Sequence, residues 1–285
     1  MHRKLSITFP ASLVSDVPHL REKTSKAGLI GRAAAIFRVD EIIVYPDDPQ
    51  ADQAVDRDLI VTLLSYMETP QYLRRSLFRF RPELRYAGVL PPLRTSHHPL
   101  VRQVKGLKVG EYREGVVESR RSDGVLVDVG VERPVHVPDP HLRVGKRVTV
   151  RIADVGKQVE ARLARRMDIE AYWGYVVRPV DQGFGRLLRS GDFDLTVATS
   201  KRGAHFADIV EKIVADWQNS RRILVGFGSP SRGLHEIVDE EGLKLEEVAD
   251  LIVNTVPRQG TETVRTEEAV IASLAVLNSR LLSKA

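Results

Sequence analysis

Leu251-Ile252-Val253-Asn254-Thr255-Val256-Pro257-Arg258-Gln259-Gly260-Thr261-Glu262-Thr263-Val264-Arg265 reads as a short apolar strand that breaks into a small-residue loop before a helical stretch over 264–282. That stretch carries Ala269, Ala272, Leu274, Leu277 and Leu281, spaced to form one apolar side of a helix. Two earlier stretches end the same way. Thr196-Val197-Ala198-Thr199-Ser200-Lys201-Arg202-Gly203 and Leu224-Val225-Gly226-Phe227-Gly228-Ser229-Pro230 each leave an apolar run through small residues. In open parallel sheets a ligand sits outside the carboxyl ends of the strands, where glycine lets backbone groups approach it closely. Three successive strand ends of this kind mark a candidate site that can read an adenine through backbone alone.

Working outward, the C-terminal half predicts strands at 173–178, 193–199, 222–227 and 249–254, with helices near 205–217, 234–241 and 264–282. The N-terminal part has the same alternation. Leu5 to Leu13 is strand-like, and Thr24 to Phe37 has helical spacing through Ala27, Ile30, Ala34 and Phe37. A β-branched run over 39–45 stops at Pro46, and 53–68 returns to helical spacing through Val55, Leu59, Leu63 and Met67. Alternating strands and helices predict an α/β fold with a mostly parallel sheet. Residues from about 95 to 165 break the pattern. Val109–Val117, Asp123–Gly130 and Val144–Ile152 are short β-like runs between Gly, Pro and charged turns, the pattern of a small antiparallel barrel resembling an OB fold. The expected organisation is an α/β domain over 1–92 plus 166–285, interrupted by a barrel over 93–165.

Length and composition agree: 285 residues, 42% hydrophobic and 28% charged, suit one large or two modest globular domains. The sequence has no apolar run long enough to cross a membrane, and Met1-His2-Arg3-Lys4 leads straight into a strand-like segment, so a cytoplasmic protein is expected. Zero Cys excludes disulfides, thiolate metal sites and Cys nucleophiles. The phosphate-loop, nucleophile-elbow and zincin motifs do not occur, and Gly226-Phe227-Gly228 lacks the third glycine of the dinucleotide fingerprint. His97-His98, on a Pro-flanked loop, reads as a hinge or RNA-facing loop, and no metal is expected.

The net charge of +5 hides a cluster. Residues 71–121 hold twelve Lys/Arg against four Glu, a local +8, which leaves −3 elsewhere. Tyr72, Phe78, Phe80, Tyr86 and Tyr112 are interleaved with those cations, a composition that neutralises phosphates and stacks bases. Arg74, Arg75, Arg79, Arg81, Arg102, Lys105, Lys108 and Arg113 are the candidate RNA-binding residues.

Gly31-Arg32-Ala33-Ala34-Ala35-Ile36-Phe37-Arg38-Val39-Asp40-Glu41-Ile42, Phe227-Gly228-Ser229-Pro230 and Val256 through Ala269 together resemble the SPOUT class of S-adenosylmethionine-dependent RNA methyltransferases. The resemblance is to the archaeal and eukaryotic branch with an OB-like insertion, and it covers nearly the whole chain. It implies a C-terminal trefoil knot, which residue patterning alone never predicts. It also implies a homodimer, and S-adenosylmethionine held at Thr199, Ser200, Arg202, Gly203, Gly226, Phe227, Gly228, Asn254, Thr255, Val256, Gly260, Thr261 and Thr263. Arg32, Arg265 and Glu268 are the candidate catalytic residues, with Arg32 positioning the target nucleotide as in similar enzymes.

Without Cys the covalent route to a pyrimidine C5 is closed. A base nitrogen or a ribose oxygen of ribosomal or other structured RNA is therefore the expected target, and the family alone suggests uridine N3. Two other readings remain open at this point: an RNA-binding ribosome-assembly factor with an idle methyltransferase fold, and a metabolic enzyme binding an adenine nucleotide. Cofactor binding separates the first from an enzyme, and salt-dependent RNA affinity separates the second.

Overall fold

Strand β1 (Lys4–Pro10) is followed by α1 (Leu20–Ile36), β2 (Glu41–Tyr45), α2 (Ala54–Glu68) and a single turn, α3 (Arg74–Leu77), in a computed structural model that describes residues 3–281. Five strands come next: β3 (Tyr112–Arg121), β4 (Gly124–Asp128), β5 (Val135–Val137), β6 (Arg147–Val155) and β7 (Val159–Leu163). The chain ends with β8 (Val176–Pro179), α4 (Phe184–Arg189), β9 (Leu195–His205), α5 (Val210–Asn219), β10 (Arg222–Gly226), α6 (Leu234–Glu240), α7 (Leu245–Val248), β11 (Leu251–Asn254) and α8 (Thr266–Leu281). The last residue of the expected helix 264–282 lies outside the described residues.

The chain divides into two compact units, one formed by the residues through Ser65, Glu83–Pro91 and those from Tyr175 onward, the other by Tyr66–Pro82 and Pro92–Gly174. The first unit holds a six-stranded sheet in the order β11-β9-β10-β1-β2-β8, every neighbouring pair parallel. The expected α/β fold with a parallel sheet is what the chain adopts. Strands covered on both faces need continuous apolar runs, and all five residues of β2, Glu41-Ile42-Ile43-Val44-Tyr45, are buried. The charged member survives because Ser6, Lys4 and Arg178 meet the Glu41 carboxylate. Burial opposes its ionisation, yet the two cations hold its pKa below the usual value.

The second unit is a closed barrel in the order β3-β4-β5-β7-β6. Its core alternates along the strands: Val148, Val150 and Ile152 of β6 are buried while Arg151 between them is exposed, the two-residue period of a half-buried strand. Residues 66–82 belong to this unit because a polar cluster ties them in. Arg147 donates to Glu68 Oε2 and to Glu114 Oε2, both at 2.7 Å, and Glu114 Oε1 accepts from Thr149 Oγ1 and Trp173 Nε1. The Tyr72 hydroxyl donates to the Glu114 carbonyl at 2.8 Å. Burial of Glu68 opposes its charge, but hydrogen bonds from His97 and the Arg147 guanidinium bring its pKa down to about 2.

Three expectations shift. Trp173, expected to open a strand, instead lies buried against Glu114 in the barrel unit, and β8 begins at Val176. The strand expected to stop at 199 continues to His205. His97 and His98 do not form an open loop: both rings meet the Glu68 carbonyl, at 2.9 and 2.7 Å, and His97 is fully buried.

Candidate functional site

The long β9 carries the site because it leaves its neighbour and returns. Leu251 and Ile252 of β11 pair with Val197 and Ala198, and the next two, Val253 and Asn254, pair with Ala204 and His205. Thr199 to Gly203 are therefore looped out of the β9–β11 ladder at the carboxyl edge of the sheet. Gly203 closes the excursion: a Cβ there would lie 2.7 Å from the Ile252 carbonyl and from the Val253 nitrogen. The loop leaving β10 and the segment leaving β11 meet this excursion around a cavity of about 360 Å³. Its wall includes Thr199, Ser200, Arg202, Phe227, Gly228, Asn254, Thr255, Val256 and Thr263. The three strand ends singled out in the sequence thus converge on one cavity.

Side-chain hydroxyls fix the loop after β10. The Gly226 carbonyl accepts from Thr199 Oγ1 at 2.8 Å, the Phe227 carbonyl from the Tyr45 hydroxyl at 2.9 Å, and the Gly228 carbonyl from Thr266 Oγ1 at 2.9 Å. The donors come from β9, β2 and α8, so the orientation of three consecutive peptides is set by three separate elements. Burial, reinforced by Asp47 and Glu241, pushes the Tyr45 phenol well above its ordinary pKa, which keeps it a donor. Gly228 leaves no room for a side chain, since its Cβ would stand 2.8 Å from the Arg232 carbonyl.

The remaining loops are tied with comparable care. Arg232, on the cavity wall, reaches from its turn to the buried Asp47, donating to both its carbonyl and its Oδ2 at 3.0 Å, and it pairs with Glu240 at 2.6 Å. Partial burial disfavours its charge, but Glu240 and Asp47 outweigh that and raise its pKa. Asn254 Nδ2 donates to the Lys201 carbonyl at 3.1 Å while its Oδ1 accepts from Val256 N, joining two loops through one amide. Thr255 and Ser273 share a buried hydroxyl contact of 2.7 Å that holds the β11 end against α8. His235 lies on the wall between Ser200 Oγ at 3.3 Å and the Glu246 carboxylate at 3.2 Å.

Several expected residues take other places. Gly203 and Gly226 pack rather than line the cavity; a Cβ on Gly226 would enter the Phe184 ring at 2.5 Å. Gly260 and Thr261 are outside the cavity wall. Glu268 caps α8, its carboxylate accepting from the Arg265 backbone N–H at 3.0 Å, and both residues are exposed. Arg32 is half-buried on α1, also outside the wall. Tyr45, Thr266, Ser273 and Arg232 escaped the sequence reading because a lone hydroxyl or guanidinium carries no pattern that announces a partner far away in the chain.

Among the candidate RNA-binding residues, Arg75, Arg79, Arg81, Arg102, Lys105 and Lys108 are exposed. Arg74 is half-buried, stacked on Tyr66 at 4.5 Å and donating to the Thr69 and Met67 carbonyls. Arg113 has to be withdrawn from the set. It is fully buried in the barrel unit, with Glu111 at 2.7 Å and the Val101 carbonyl at 3.1 Å, so no phosphate can reach it.

A family model described as "Putative RNA methyltransferase" matches residues 4–277. A human protein named 28S rRNA (uridine-N(3))-methyltransferase is 35% identical over 309 residues, covering 98% of this chain and 78% of that one. A protein of Haloarcula marismortui, named only as uncharacterized, is 36% identical over 288 residues, covering 95% and 98%. Among solved structures, a SpoU methyltransferase from Streptomyces viridochromogenes in complex with AdoMet aligns at 12% identity with a TM-score of 0.40, over 100% of this chain and 60% of that one.

Proposed function

The chain belongs to the RNA methyltransferase family, and from that premise we propose that it transfers a methyl group from S-adenosylmethionine to N3 of a uridine in large-subunit ribosomal RNA. The observation that carries the reading is the cavity where the ends of β9, β10 and β11 meet. The uridine N3 target comes from the name of the human relative.

The residues present fit the cofactor. Val256 and Val264, both half-buried, offer apolar surface for a flat purine, and Glu236 and Glu262 share the wall with Lys201, Arg202 and Arg232, a mixed set of charges suited to a ligand that carries both signs. Gly233 also lines the cavity, and a Cβ there would meet nothing within 4 Å, so this stretch of backbone stands open to a ligand. When bound, S-adenosylmethionine supplies an electrophilic methyl group on a positively charged sulfur. The chain's own task is alignment. Peptides already held by Thr199, Tyr45 and Thr266 need no reordering when a ligand arrives, and preorganisation of this kind lowers the cost of both binding and attack.

The target RNA is held, in this reading, by the exposed cations Arg75, Arg79, Arg81, Arg102, Lys105 and Lys108, with the five-stranded barrel as an OB-like RNA-binding module. Arg32 and Arg265 are the proposed contacts to the target nucleotide, with Glu268 setting the α8 end from which Arg265 projects. A homodimer completes the site, the C-terminal segment is threaded as a trefoil knot, and the protein works in the cytoplasm. Among the described residues no helix is long and apolar enough to cross a membrane, and no group of His, Asp and Glu is placed to hold a metal.

Calorimetric titration with S-adenosylmethionine, followed by transfer of a labelled methyl group to large-subunit RNA fragments and nucleoside analysis, tests the proposal. One site per chain and label in 3-methyluridine are the expected results. Label in another nucleoside would overturn the uridine N3 target, and cofactor binding without transfer to any RNA would overturn the activity.

A further inference from the structure

Phe80 is 99% exposed, although an apolar ring is more stable sequestered from water. It stands between the exposed Arg79 and Arg81, in a segment, 71–82, that holds four Arg and no Asp or Glu. The segment is anchored just before it. Phe78 packs edge-on against Tyr66 with ring centroids 5.3 Å apart, and Arg74 covers the same Tyr66 ring from 4.5 Å. Pro82 follows at once and restrains Arg81 to extended backbone. A free aromatic face is therefore presented from a fixed base, with a cation on either side.

Such a face suits one kind of partner. A second copy of this chain would bring Arg75, Arg79 and Arg81 against their own equivalents, and like charges oppose that contact. An unpaired stretch of RNA offers the opposite: phosphates for the guanidinium groups and an open base face for the ring. A duplex offers the phosphates alone, because its base faces are stacked on each other.

We propose that Phe80 is a stacking platform for an unpaired RNA base, with Arg79 and Arg81 engaging the flanking phosphates. The assignment rests on the RNA-binding reading above and adds to it a requirement for single-stranded RNA at this point of the barrel unit.

The test compares the intact protein with Phe80→Ala and Phe80→Trp, using a fluorescein-labelled oligouridylate and a perfectly paired RNA duplex of the same length. Because the ring makes no core contact, both variants should melt like the parent. Phe80→Ala should weaken single-strand binding about 5- to 100-fold while duplex affinity stays within about twofold. Phe80→Trp should restore single-strand binding, and the oligouridylate should quench the introduced indole, an easily read signal because Trp173 and Trp217 are both buried. Unchanged single-strand affinity in Phe80→Ala, or equal losses on single strand and duplex, would overturn the stacking role. A parent protein that binds neither RNA would overturn the RNA-binding reading itself, a result distinct from either of those.

Discussion

Thr266 Oγ1 donates to the carbonyl of Gly228 across 2.9 Å, so the first residue of α8 clasps the loop that follows β10. The hydroxyl is buried with its helix end, and losing it leaves a carbonyl without its donor beside the ligand cavity. Thr266→Val keeps the shape and removes the bond, an exchange worth about 1–2 kcal/mol. S-adenosylmethionine affinity should fall about 5- to 30-fold, and Thr266→Ser should recover most of it. A folded Thr266→Val protein with unaltered calorimetric affinity would show that the clasp does not matter to the ligand.

Two glycines of neighbouring loops should behave differently. Alanine at Gly228 must displace the Arg232 carbonyl, whereas alanine at Gly260 meets nothing within 4 Å. We expect Gly228→Ala to lose at least about tenfold in cofactor affinity through the shifted loop, and Gly260→Ala to stay within about twofold. Equal behaviour of the two variants in the same titration would place the ligand elsewhere.

RNA affinity should depend steeply on salt. If Arg75, Arg79, Arg81, Arg102, Lys105 and Lys108 all meet phosphates, raising salt from about 50 to about 200 mM should weaken single-strand binding about 300-fold. Arg79→Ala should reduce the slope of log affinity against log salt by about one. Arg113→Met should leave that slope alone and lower stability, since it strips a buried cation from Glu111 and the Val101 carbonyl. Fluorescence anisotropy across a salt series reads both, and a flat dependence would remove this face from the binding surface.

Acid should loosen the barrel unit. Burial and the neighbouring His97 bring the His98 pKa down from 6.5 to about 4, so the fold prefers the neutral ring and the unfolded chain takes up the proton first. Stability from this residue is complete above about pH 6.5 and drains as the pH falls toward 4, on the order of 2 kcal/mol between pH 7 and pH 5. Glu68, held to about 2, prefers its charged form, and its contribution drains at lower pH, from about 4.5 toward 2. Urea midpoints at pH 7 and pH 5, read through Trp173 in a Trp217→Phe background, should differ accordingly. His98→Gln should flatten the difference, and an undiminished difference would assign the effect to another group.

Periodicity made the sheet legible. Ile42, Ile43 and Val44 announce a buried strand, and the Ala27, Ile30 and Ala34 spacing announces α1, because burial on these faces demands it. The three strand ends were legible for a related reason, since small residues are what a backbone needs in order to come close to a ligand. What stayed hidden depends on partners far apart in the chain. Nothing near Tyr45 points to Phe227, 182 residues away, and Arg113 looks like any other surface cation until Glu111 and Val101 close over it. Gly203 and Gly226 show the converse: their glycines were read as room for a ligand, whereas the room is filled by the β11 backbone and by Phe184.

The excursion of β9 has a bearing on how the site can change over time. A strand that departs after Ala198 and is back in step at Ala204 makes the stretch between them nearly weightless for the sheet: a residue inserted or exchanged at Ser200, Lys201 or Arg202 reshapes the ligand's surroundings while Val197 and Val253 keep their partners. Ligand preference in this chain can drift at its β9 wall without the architecture having to follow, and Gly203 marks where that licence ends.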